Sequence, residues 1–338
     1  MNRIATSDSN IRNELFIRTG AEMNILPGLV EKDFWVCWML NRLFSIPTIK
    51  SHILFKGGTT LSKIFGVITR FSEDIDLAVD YRMLGFDGDR SPKSEMSNTK
   101  RAKLLNSMLL ACREYISGEF LSELRDGVIE VLGNSTSWRI EVDPYDGHVI
   151  NFHYPRISAT PSYLRPEVRL ELGTHAELIP NEEYTLRPYS ADYFHDEFDE
   201  PDCHVRAIKI ERTFWEKVTI LHQEHFRTAE KAAPVRFSRH YYDTYMMFQD
   251  KEAREAAFQS PTLLGSVVEH KKRFYPRRWA RYDLAIPETL EVMPSDLWGN
   301  FLKKDYRNME IMMFGEIPSF DEILTGLQSL ENAIRKMA

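Results

Sequence analysis

Two aspartates one residue apart, within an apolar run, are the residues of this chain whose types and spacing most clearly indicate chemistry. Asp74 and Asp76 belong to the run SEDIDLAVD, in which they alternate with Ile75 and Leu77. In a strand, side chains at positions i and i+2 point to the same face, so the two carboxylates lie side by side. Such a pair repels unless one carboxylate holds a proton or a cation lies between them. Mg²⁺ takes one or two carboxylates plus substrate phosphates, so the pair predicts metal-assisted chemistry on a nucleoside triphosphate.

A glycine-rich turn and a helix-like run precede this strand. The sequence GGTT, residues 57–60, follows a strand-like segment at residues 52–55 and is followed by LSKIFGV. Glycine allows a backbone to approach a ligand closely, and the free N–H groups at a helix start attract phosphate. Thr59 or Thr60 is expected to cap this helix and to touch a phosphate oxygen. The Walker A pattern is absent, and a helix start without a ligand would also explain the glycines.

The composition is that of an ordinary globular protein with room for two subdomains. The 338 residues are 43% hydrophobic, and the formal net charge of −7 does not favour general nucleic-acid binding. Cys37, Cys112 and Cys203 are far apart, which argues against a disulfide framework or a zinc site and fits a reducing cytoplasm. The start of the chain lacks a signal pattern and no apolar run is long enough to span a membrane, so no membrane association is expected.

Helical patterns dominate the start of the chain and the region after the aspartate pair. Residues 10–44 are predicted to be helical, with Phe34, Trp38 and Leu43 on one face and Pro47 as the terminator. The run EKDFW at residues 31–35 is interpreted as part of a packing helix with charged residues at its head. Residues 85–99 are predicted to form a loop, and residues 100–132 a helix.

Three strand-like segments follow, at residues 138–142, 148–154 and 167–172. The third alternates apolar and charged residues, as expected for a strand with one buried face. Residues 176–205 are acidic and irregular and are interpreted as a connector to a second subdomain.

Two helices with predicted caps begin the second subdomain. In ERTFWEKVTILH, Thr213 and Glu216 match a capping box, and from the pattern alone Lys217 is a solvated lysine. In SRHYYDTYMMF, Ser238 is the predicted cap, and the four-residue spacing of its arginine and aspartate predicts a surface ion pair.

The remaining features of this half of the chain are read from residue type and spacing. His222 and His225 are interpreted as helix-surface histidines, because no matching metal ligands follow. Residues 318–337 predict an amphipathic closing helix. Three tyrosines of the SRHYYD helix are expected either to pack or to stack on a base: Tyr241, Tyr242 and Tyr245.

A basic segment at residues 270–282, HKKRFYPRRWARY, interleaves cations with aromatic rings and contains no acidic residue. Phosphate-binding cations beside stacking rings are typical of RNA contacts. A helix end with solvated basic residues would give the same pattern, so both interpretations stay open.

Four segments together resemble the AbiEii/AbiGii family of nucleotidyltransferase toxins, within the superfamily that includes DNA polymerase beta. They are FKGGTTLSKIFGVITRFSEDIDLA, EKDFW, ERTFWEKVTILH and RFSRHYYD, and they span roughly residues 30–245. The resemblance implies an α/β (α+β) fold: a nucleotidyltransferase core with a mixed sheet, plus a helical C-terminal subdomain. The expected domains are an N-terminal helical element at 1–50, the core at 51–200 and the helical subdomain at 201–338, with the NTP in the cleft between core and subdomain.

The resemblance also implies roles for individual residues. Asp74 and Asp76 would hold metal. A third carboxylate on a neighbouring strand would bind metal or act as general base; Glu171 is the candidate and Glu141 its rival. Lys217 would contact the triphosphate as a catalytic residue, and a cluster of Arg239, His240 and Asp243 would line the nucleotide pocket. The other expected nucleotide-binding residues are Lys56, Gly57, Gly58, Thr59, Thr60, Lys63, Arg70 and Ser72.

The implied function is a toxin that transfers NMP from an NTP to an RNA acceptor, with Mg²⁺ or Mn²⁺ as cofactor. The expected acceptor is the 3′ end of tRNA, and the expected outcome is growth inhibition in a toxin–antitoxin or phage abortive-infection system, in the cytoplasm and with a cognate antitoxin as partner. Two alternatives remain open: an enzyme of the same fold with a protein or small-molecule acceptor, and a non-catalytic NTP-binding module in a defence complex.

Overall fold

The aspartate pair lies on the second of seven strands that form one mixed sheet. The computed structural model describes residues 1–159, 165–231 and 234–337. Within these ranges the strands are β1 (Ile53–Lys56), β2 (Asp74–Val79), β3 (Arg139–Val142), β4 (Val149–His153), β5 (Val168–Gly173), β6 (Asn181–Leu186) and β7 (Cys203–Ile208). The predicted fold class, α/β with a mixed sheet, is confirmed.

Strand order places the aspartate strand in the middle of the sheet. The order is β3-β4-β5-β2-β1-β7-β6. The pairs β2–β5 and β1–β7 are parallel, and the other four pairs are antiparallel. Two strands that carry acidic residues, β2 and β5, are therefore neighbours and run in the same direction.

Helices in the described residues account for much of the rest of the chain. Their bounds are α1 (Asn2–Thr6), α2 (Ser9–Met23), α3 (Pro27–Ser45), α4 (Pro47–Lys50), α5 (Gly58–Lys63), α6 (Asn98–Tyr115), α7 (Leu121–Leu132), α8 (Tyr189–Tyr193), α9 (Ile210–His225), α10 (Ser238–Gln249), α11 (Lys251–Phe258), α12 (Pro261–Phe274), α13 (Gly299–Met309) and α14 (Phe320–Arg335). A π-helical segment, Ile116–Phe120, joins α6 to α7. No described helix is both long and apolar enough to cross a membrane.

The chain divides into two compact units. Unit 1 comprises Met1–Ile64, Ser72–Ser91 and Ala102–Ile208, and contains the whole sheet. Unit 2 comprises Phe65–Phe71, Pro92–Arg101 and Lys209–Ala338. The short segment Phe65–Phe71, directly before the aspartate strand in the sequence, thus belongs to the mainly helical unit.

One face of the sheet in unit 1 is covered by an apolar core. Ile75 and Leu77 of β2 point into this core, which also contains the aromatic side chains of α3. The alternation predicted for β2 follows from the two-residue period of a strand. The opposite face carries the two aspartates and a small apolar cluster of Leu54, Ala78 and Ile208.

The first predicted helix is interrupted in the structure. Asn24 adopts a left-handed conformation with φ of 53° and ends α2, and Pro27 begins α3. Asparagine tolerates this conformation, and proline at the first helical position lacks an N–H that would be unpaired anyway. Two helices therefore replace the single helix predicted for residues 10–44.

The predicted connector at 176–205 is wrong in large part, because it contains β6 and ends within β7. The acidic run that suggested a loop, residues 193–202, lies between these two strands, and β6 itself is an edge strand with one neighbour, on which Glu182 and Glu183 are exposed. Charged side chains are common on such edges. The neighbouring β7 pairs with β1 in the middle of the sheet.

Both caps predicted in the second half of the chain are also wrong. Thr213 is inside α9, and its hydroxyl donates to the carbonyl of Lys209 because the helix begins at Ile210. Ser238 is the first residue of α10, and Asp305 accepts from both its N–H and its hydroxyl. The closing helix is found as predicted: α14 buries Ile323, Leu327, Leu330 and Ile334.

Candidate active site

A row of charged residues crosses the face of the sheet opposite the core. Asp76 on β2 has Glu171 of β5 as its partner on one side and Lys56 of β1 on the other. Asp74 lies two residues earlier on the same face, opposite Arg169 of β5. The register therefore brings three predicted site residues, Asp76, Glu171 and Lys56, to equivalent positions on three adjacent strands.

Gly57 lies directly against the carboxylate of Asp76. Its φ is +88°, and a Cβ atom added there would lie 1.9 Å from Oδ2 of Asp76. Any other residue would displace the aspartate, so both conformation and space require glycine. The turn predicted to approach a ligand is thus built directly against one of the predicted metal ligands.

The hydroxyl groups of the turn bond to backbone and not to the N–H groups of α5. Thr59 donates to the carbonyl oxygen of Asp74 at 2.5 Å and lies 3.0 Å from the hydroxyl of Ser72. Thr60 donates to the carbonyl of Gly57 at 2.8 Å. The prediction that either threonine caps α5 is therefore wrong, since no side chain caps this helix. Their bonds hold the turn to the start of β2.

Negative charge on this face is only partly compensated within unit 1. Burial raises the pKa of Asp74 to about 6, and Glu171, Glu73 and Asp76 add to the effect by repulsion. Arg169 lies 3.5 Å from Glu171 and 3.3 Å from a second carboxylate, that of Asp143, so its charge is shared.

The donor set fits a magnesium ion whose other ligands are phosphate or water. Among the described residues, no group of three or more His, Cys, Asp or Glu side chains is arranged to hold a metal. Glu171 is therefore not part of a preformed three-carboxylate site, although it is the partner of Asp76 on the next strand. Mg²⁺ commonly uses only one or two carboxylates and completes its shell with substrate phosphates, which Asp74 and Asp76 can satisfy.

Strand order separates the two candidates for the third carboxylate. Glu171 lies on β5, which neighbours the aspartate strand. Glu141 lies on β3 at the edge of the sheet, three strands from β2, and pairs with Arg139 and His153. Sequence spacing alone could not separate them, because the topology that orders the strands is set by long-range pairing.

Lys63 has a different environment from the predicted one. Its ammonium group is 2.8 Å from the carboxylate of Asp33 and 3.7 Å from the ring centre of Tyr189, and its side chain is buried. An ammonium group held in this way anchors α5 within unit 1, and the predicted phosphate contact gains no support from this geometry.

Unit 2 contains a buried cluster around Asp243. Arg70 donates to both carboxylate oxygens, at 2.7 and 2.9 Å, and Lys217 donates to Oδ2 at 2.7 Å. Burial alone would raise the pKa of Asp243, but Arg70 and Lys217 outweigh it and hold the pKa well below its usual range. The structure thus joins three predicted site residues from sequence positions up to 173 residues apart.

This cluster corrects two predictions for unit 2. Lys217 is buried and paired, so it is not a solvated lysine. Asp243 pairs with Arg70 and Lys217 and is fully buried, whereas Arg239 is exposed, so the predicted surface ion pair is wrong. The helix period correctly put Arg239 and Asp243 one turn apart, but it could not reveal a partner from outside the helix.

His240, which the resemblance groups with Arg239 and Asp243, is a further member of this cluster. Its Nδ1 atom lies 3.2 Å from the ammonium nitrogen of Lys217. Burial and the charge of Lys217 lower the pKa of His240 well below its usual value, so the ring is neutral. Because an ammonium group can only donate, Nδ1 accepts and the ring proton is on Nε2.

The two histidines of α9 are not surface residues, contrary to the prediction. His222 is fully buried and lies between the carbonyl of Arg281 and the N–H of Glu291. Nδ1 of His225 is 2.8 Å from the carbonyl of Met293. Both therefore fix the segment after α12 through its backbone.

Three consecutive charged residues of α3 are buried beside the site, and the sequence analysis missed their role. Glu31 accepts from the N–H groups of Ile157 and Ser158, at 2.8 and 2.7 Å. Lys32 is paired with Glu73 at 2.6 Å, and Asp33 with Lys63. A signal was available: α3 is apolar all round after these residues, and such helices are buried on every side.

A mixed sheet, a glycine turn and an Asp-x-Asp strand place this chain among the nucleotidyltransferases. A family model described as "Nucleotidyl transferase AbiEii toxin, Type IV TA system" matches residues 38–326. The chain therefore belongs to the AbiEii family of nucleotidyltransferase toxins of type IV toxin–antitoxin systems. The resemblance recognised from the sequence is confirmed.

Comparison with solved structures gives a further similarity. MenT4, a nucleotidyltransferase toxin from Mycobacterium tuberculosis H37Rv, aligns with 98% of this chain and 99% of its own, with 15% sequence identity and a TM-score of 0.40. A search of curated protein sequences gives no match.

Proposed function

We propose that this toxin transfers NMP from an NTP to a hydroxyl group of RNA, with the 3′ end of tRNA as acceptor and Mg²⁺ or Mn²⁺ as cofactor. The family supplies the reaction class. The observation that carries the proposal is the contact between Gly57 and Asp76, in which a glycine-only turn lies against a carboxylate of the Asp-x-Asp strand. Such a turn brings backbone close to a phosphate at the position where the carboxylates bind the metal.

The proposed reaction is an in-line displacement at the α-phosphorus. The acceptor oxygen forms a bond to phosphorus, the bond to the bridging oxygen breaks, and pyrophosphate leaves. Glu171 is the proposed base that takes the hydroxyl proton, and Asp74 and Asp76 are the proposed metal ligands. When bound, the metal neutralises charge on the attacking and leaving oxygens.

The cations of unit 2 are assigned to the leaving group. Lys217 and Arg70 are proposed to neutralise the charge that develops on pyrophosphate, and Arg239 is a further candidate contact to the nucleotide. Asp243 accepts from the first two and is therefore proposed to orient them. With both oxygens already bonded, Asp243 is a positioning residue in this proposal and not a metal ligand.

The basic segment of unit 2 supports an RNA acceptor. Of its four aromatic residues, Phe274 and Tyr282 are buried, which leaves Tyr275 and Trp279 partly exposed. Trp279 has three cations around its ring: Arg227 at 4.8 Å, Arg277 at 5.8 Å and Lys231 at 5.9 Å. A ring among cations can stack on a base while the cations contact phosphates, and this concentrates positive charge in a chain of net charge −7.

The acceptor class can be tested by label transfer. Purified protein is incubated with Mg²⁺, each α-labelled NTP, and total tRNA, a protein mixture or a metabolite extract in turn. Label on tRNA that is removed by trimming its 3′ terminus is the expected result. Label on protein or metabolite alone would overturn the RNA proposal, and the absence of transfer to any acceptor would favour a non-catalytic NTP-binding module.

The proposed RNA surface can be tested with a matched pair of variants. Trp279→Leu should raise the KM for RNA, since stacking of a base is worth roughly 1–3 kcal/mol. Tyr145→Leu replaces an aromatic residue that is 97% exposed in unit 1 and should leave that KM unchanged. Equal effects of the two substitutions would refute the assignment of this surface.

The family also implies a protein partner and a cellular location. A toxin of a type IV toxin–antitoxin system has a cognate antitoxin, and we propose that it is encoded alongside this chain. A cytoplasmic location is supported by Cys37, Cys112 and Cys203, which are all unpaired and buried.

A further inference from the structure

A buried ion pair in unit 1 is tied to the backbone at the start of both acidic strands. Lys32 of α3 donates to Oε2 of Glu73 at 2.6 Å and to the carbonyl of Arg165 at 2.7 Å. The same Glu73 oxygen accepts from the N–H of Arg165 at 3.1 Å. The side chains of Lys32 and Glu73 therefore form one hydrogen-bond network with the backbone N–H and carbonyl of Arg165.

This hydrogen-bond network lies at the start of the two strands that carry the predicted metal ligands and the candidate base. Glu73 immediately precedes Asp74, the first residue of β2. Arg165 lies three residues before β5, which carries Glu171. The two strands are parallel and adjacent, so the network connects their N-terminal ends to each other and to α3.

Stability alone is a poor reason for this arrangement. The side chains of Lys32 and Glu73 are 1% and 3% exposed. Removing two charges from water costs several kcal/mol, and apolar residues of the same size often replace such pairs without loss of stability. What an apolar pair cannot do is bond to the backbone of Arg165.

Glu31, the residue before Lys32, also bonds to the backbone of the segment that joins β4 to β5. Glu31 accepts from the N–H groups of Ile157 and Ser158, which follow β4. Two successive residues of α3 thus hold both described ends of the segment between β4 and β5. The rigid element is α3, whose side chains from Phe34 to Leu40 are all buried.

We propose that Lys32 and Glu73 are positioning residues for metal binding, which fix the N-terminal ends of β2 and β5 so that Asp74, Asp76 and Glu171 keep their register. This inference rests on the proposed assignment of the metal to Asp74 and Asp76. Residues that orient ligands in this way typically contribute 10- to 100-fold to metal affinity.

The test measures Mn²⁺ affinity directly, from the electron paramagnetic resonance signal of the free ion, together with thermal melting. The variant Lys32→Met with Glu73→Met removes both charges and keeps side-chain size. It should melt close to the wild type, yet its dissociation constant for Mn²⁺ should rise at least about tenfold. Wild-type affinity in this folded double variant would overturn the proposal, since it would show that the pair serves only packing.

Two further variants make the test independent of how well the double variant folds. Glu73→Gln keeps an oxygen that can accept from Lys32 and Arg165, whereas Glu73→Met does not. We expect Glu73→Gln to bind Mn²⁺ at least about fivefold more tightly than Glu73→Met, in line with the usual effect of such supporting residues. Equal affinities would contradict the proposal.

A matched control is available at the other end of the sheet. Arg206 donates to the carbonyls of Ser51 and Ile53, at the start of β1, which lies opposite the far end of β2. Arg206→Met should lower stability without changing Mn²⁺ affinity, and a loss equal to that of the double variant would count against a specific role for Lys32 and Glu73. Asp76→Ala separates the two claims, because unchanged Mn²⁺ binding in that variant would refute the metal site itself.

Discussion

Two aspartates, one in each unit, have opposite electrostatic surroundings. Asp74 is buried among other carboxylates, which raises its pKa to about 6. Asp243 is more deeply buried, but Arg70 and Lys217 bond to both of its oxygens and hold its pKa well below the usual range. Burial is the largest cause of the raised pKa of Asp74, and the neighbouring carboxylates add to it, whereas at Asp243 the two cations outweigh burial.

This difference separates a face that would be stabilised by a bound cation from a cluster that already contains two cations. The face around Asp74 and Asp76 has the carboxylates of Asp74, Asp76, Glu171 and Asp143 beside two cations, Lys56 and Arg169, so a bound cation would stabilise it. The cluster around Asp243 has two cations, Arg70 and Lys217, for one carboxylate, so the carboxylate is fully compensated and a further cation would not stabilise it. A perturbed carboxylate indicates a metal site only where its counter-charge is missing.

The largest effect on stability is expected when the ion pairs of the cluster around Asp243 are broken. Asp243→Asn leaves Arg70 and Lys217 buried without their carboxylate, which should lower the free energy of unfolding by about 3–5 kcal/mol. Urea denaturation measures this change. Arg239→Gln is the control on the same helix: its side chain is exposed, and the expected change is below about 0.5 kcal/mol.

The contribution of Asp243 to the stability of the folded protein should decrease in acid. Because its pKa is lower in the folded protein than in the unfolded chain, the stabilisation is complete above the unfolded value of about 4 and is lost as the pH falls below it. The stability difference between wild type and Asp243→Asn should therefore be constant from roughly pH 5 to 8 and shrink below about pH 4. A difference that grows in acid would refute the ion-pair account.

Replacing an aspartate by asparagine should change the free energy of unfolding in the opposite direction in unit 1. Asp74→Asn removes one of several repelling carboxylates and should raise the free energy of unfolding by roughly 1 kcal/mol when EDTA removes metal. It should also weaken Mn²⁺ binding. Asp126→Asn changes an exposed aspartate of α7 and should do neither. Destabilisation by Asp74→Asn in EDTA would show that unit 1 compensates this charge after all.

Local patterns were sufficient for the elements that carry the acidic face. The alternation in SEDIDLAVD predicted β2 and the shared face of Asp74 and Asp76, and the glycine pair predicted the turn that meets Asp76. The helical character of α9, α10 and α14 also followed from apolar periodicity. These features depend on residues within a few positions of one another.

What the patterns missed depends on distant partners. Asp243 pairs with Arg70 from 173 residues away, and Lys32 pairs with Glu73 from 41 residues away, so neither could be read from spacing along the chain. The predicted cap of α10 failed for a similar reason, because Asp305 supplies the acceptor for the start of that helix, whereas the cap of α9 failed because the helix begins before Thr213, at Ile210. The strands β6 and β7 were missed because the acidic run between them, residues 193–202, led to the interpretation of the whole stretch as a connector.

The central claim, that the acidic face catalyses nucleotidyl transfer, is tested most directly by following label and pyrophosphate together. Wild type with Mg²⁺, tRNA and an α-labelled NTP should release one pyrophosphate for each nucleotide added to RNA. Asp76→Ala should remain folded by circular dichroism and lose both products, whereas Asp126→Ala should retain them. Transfer at the wild-type rate by folded Asp76→Ala would contradict the account.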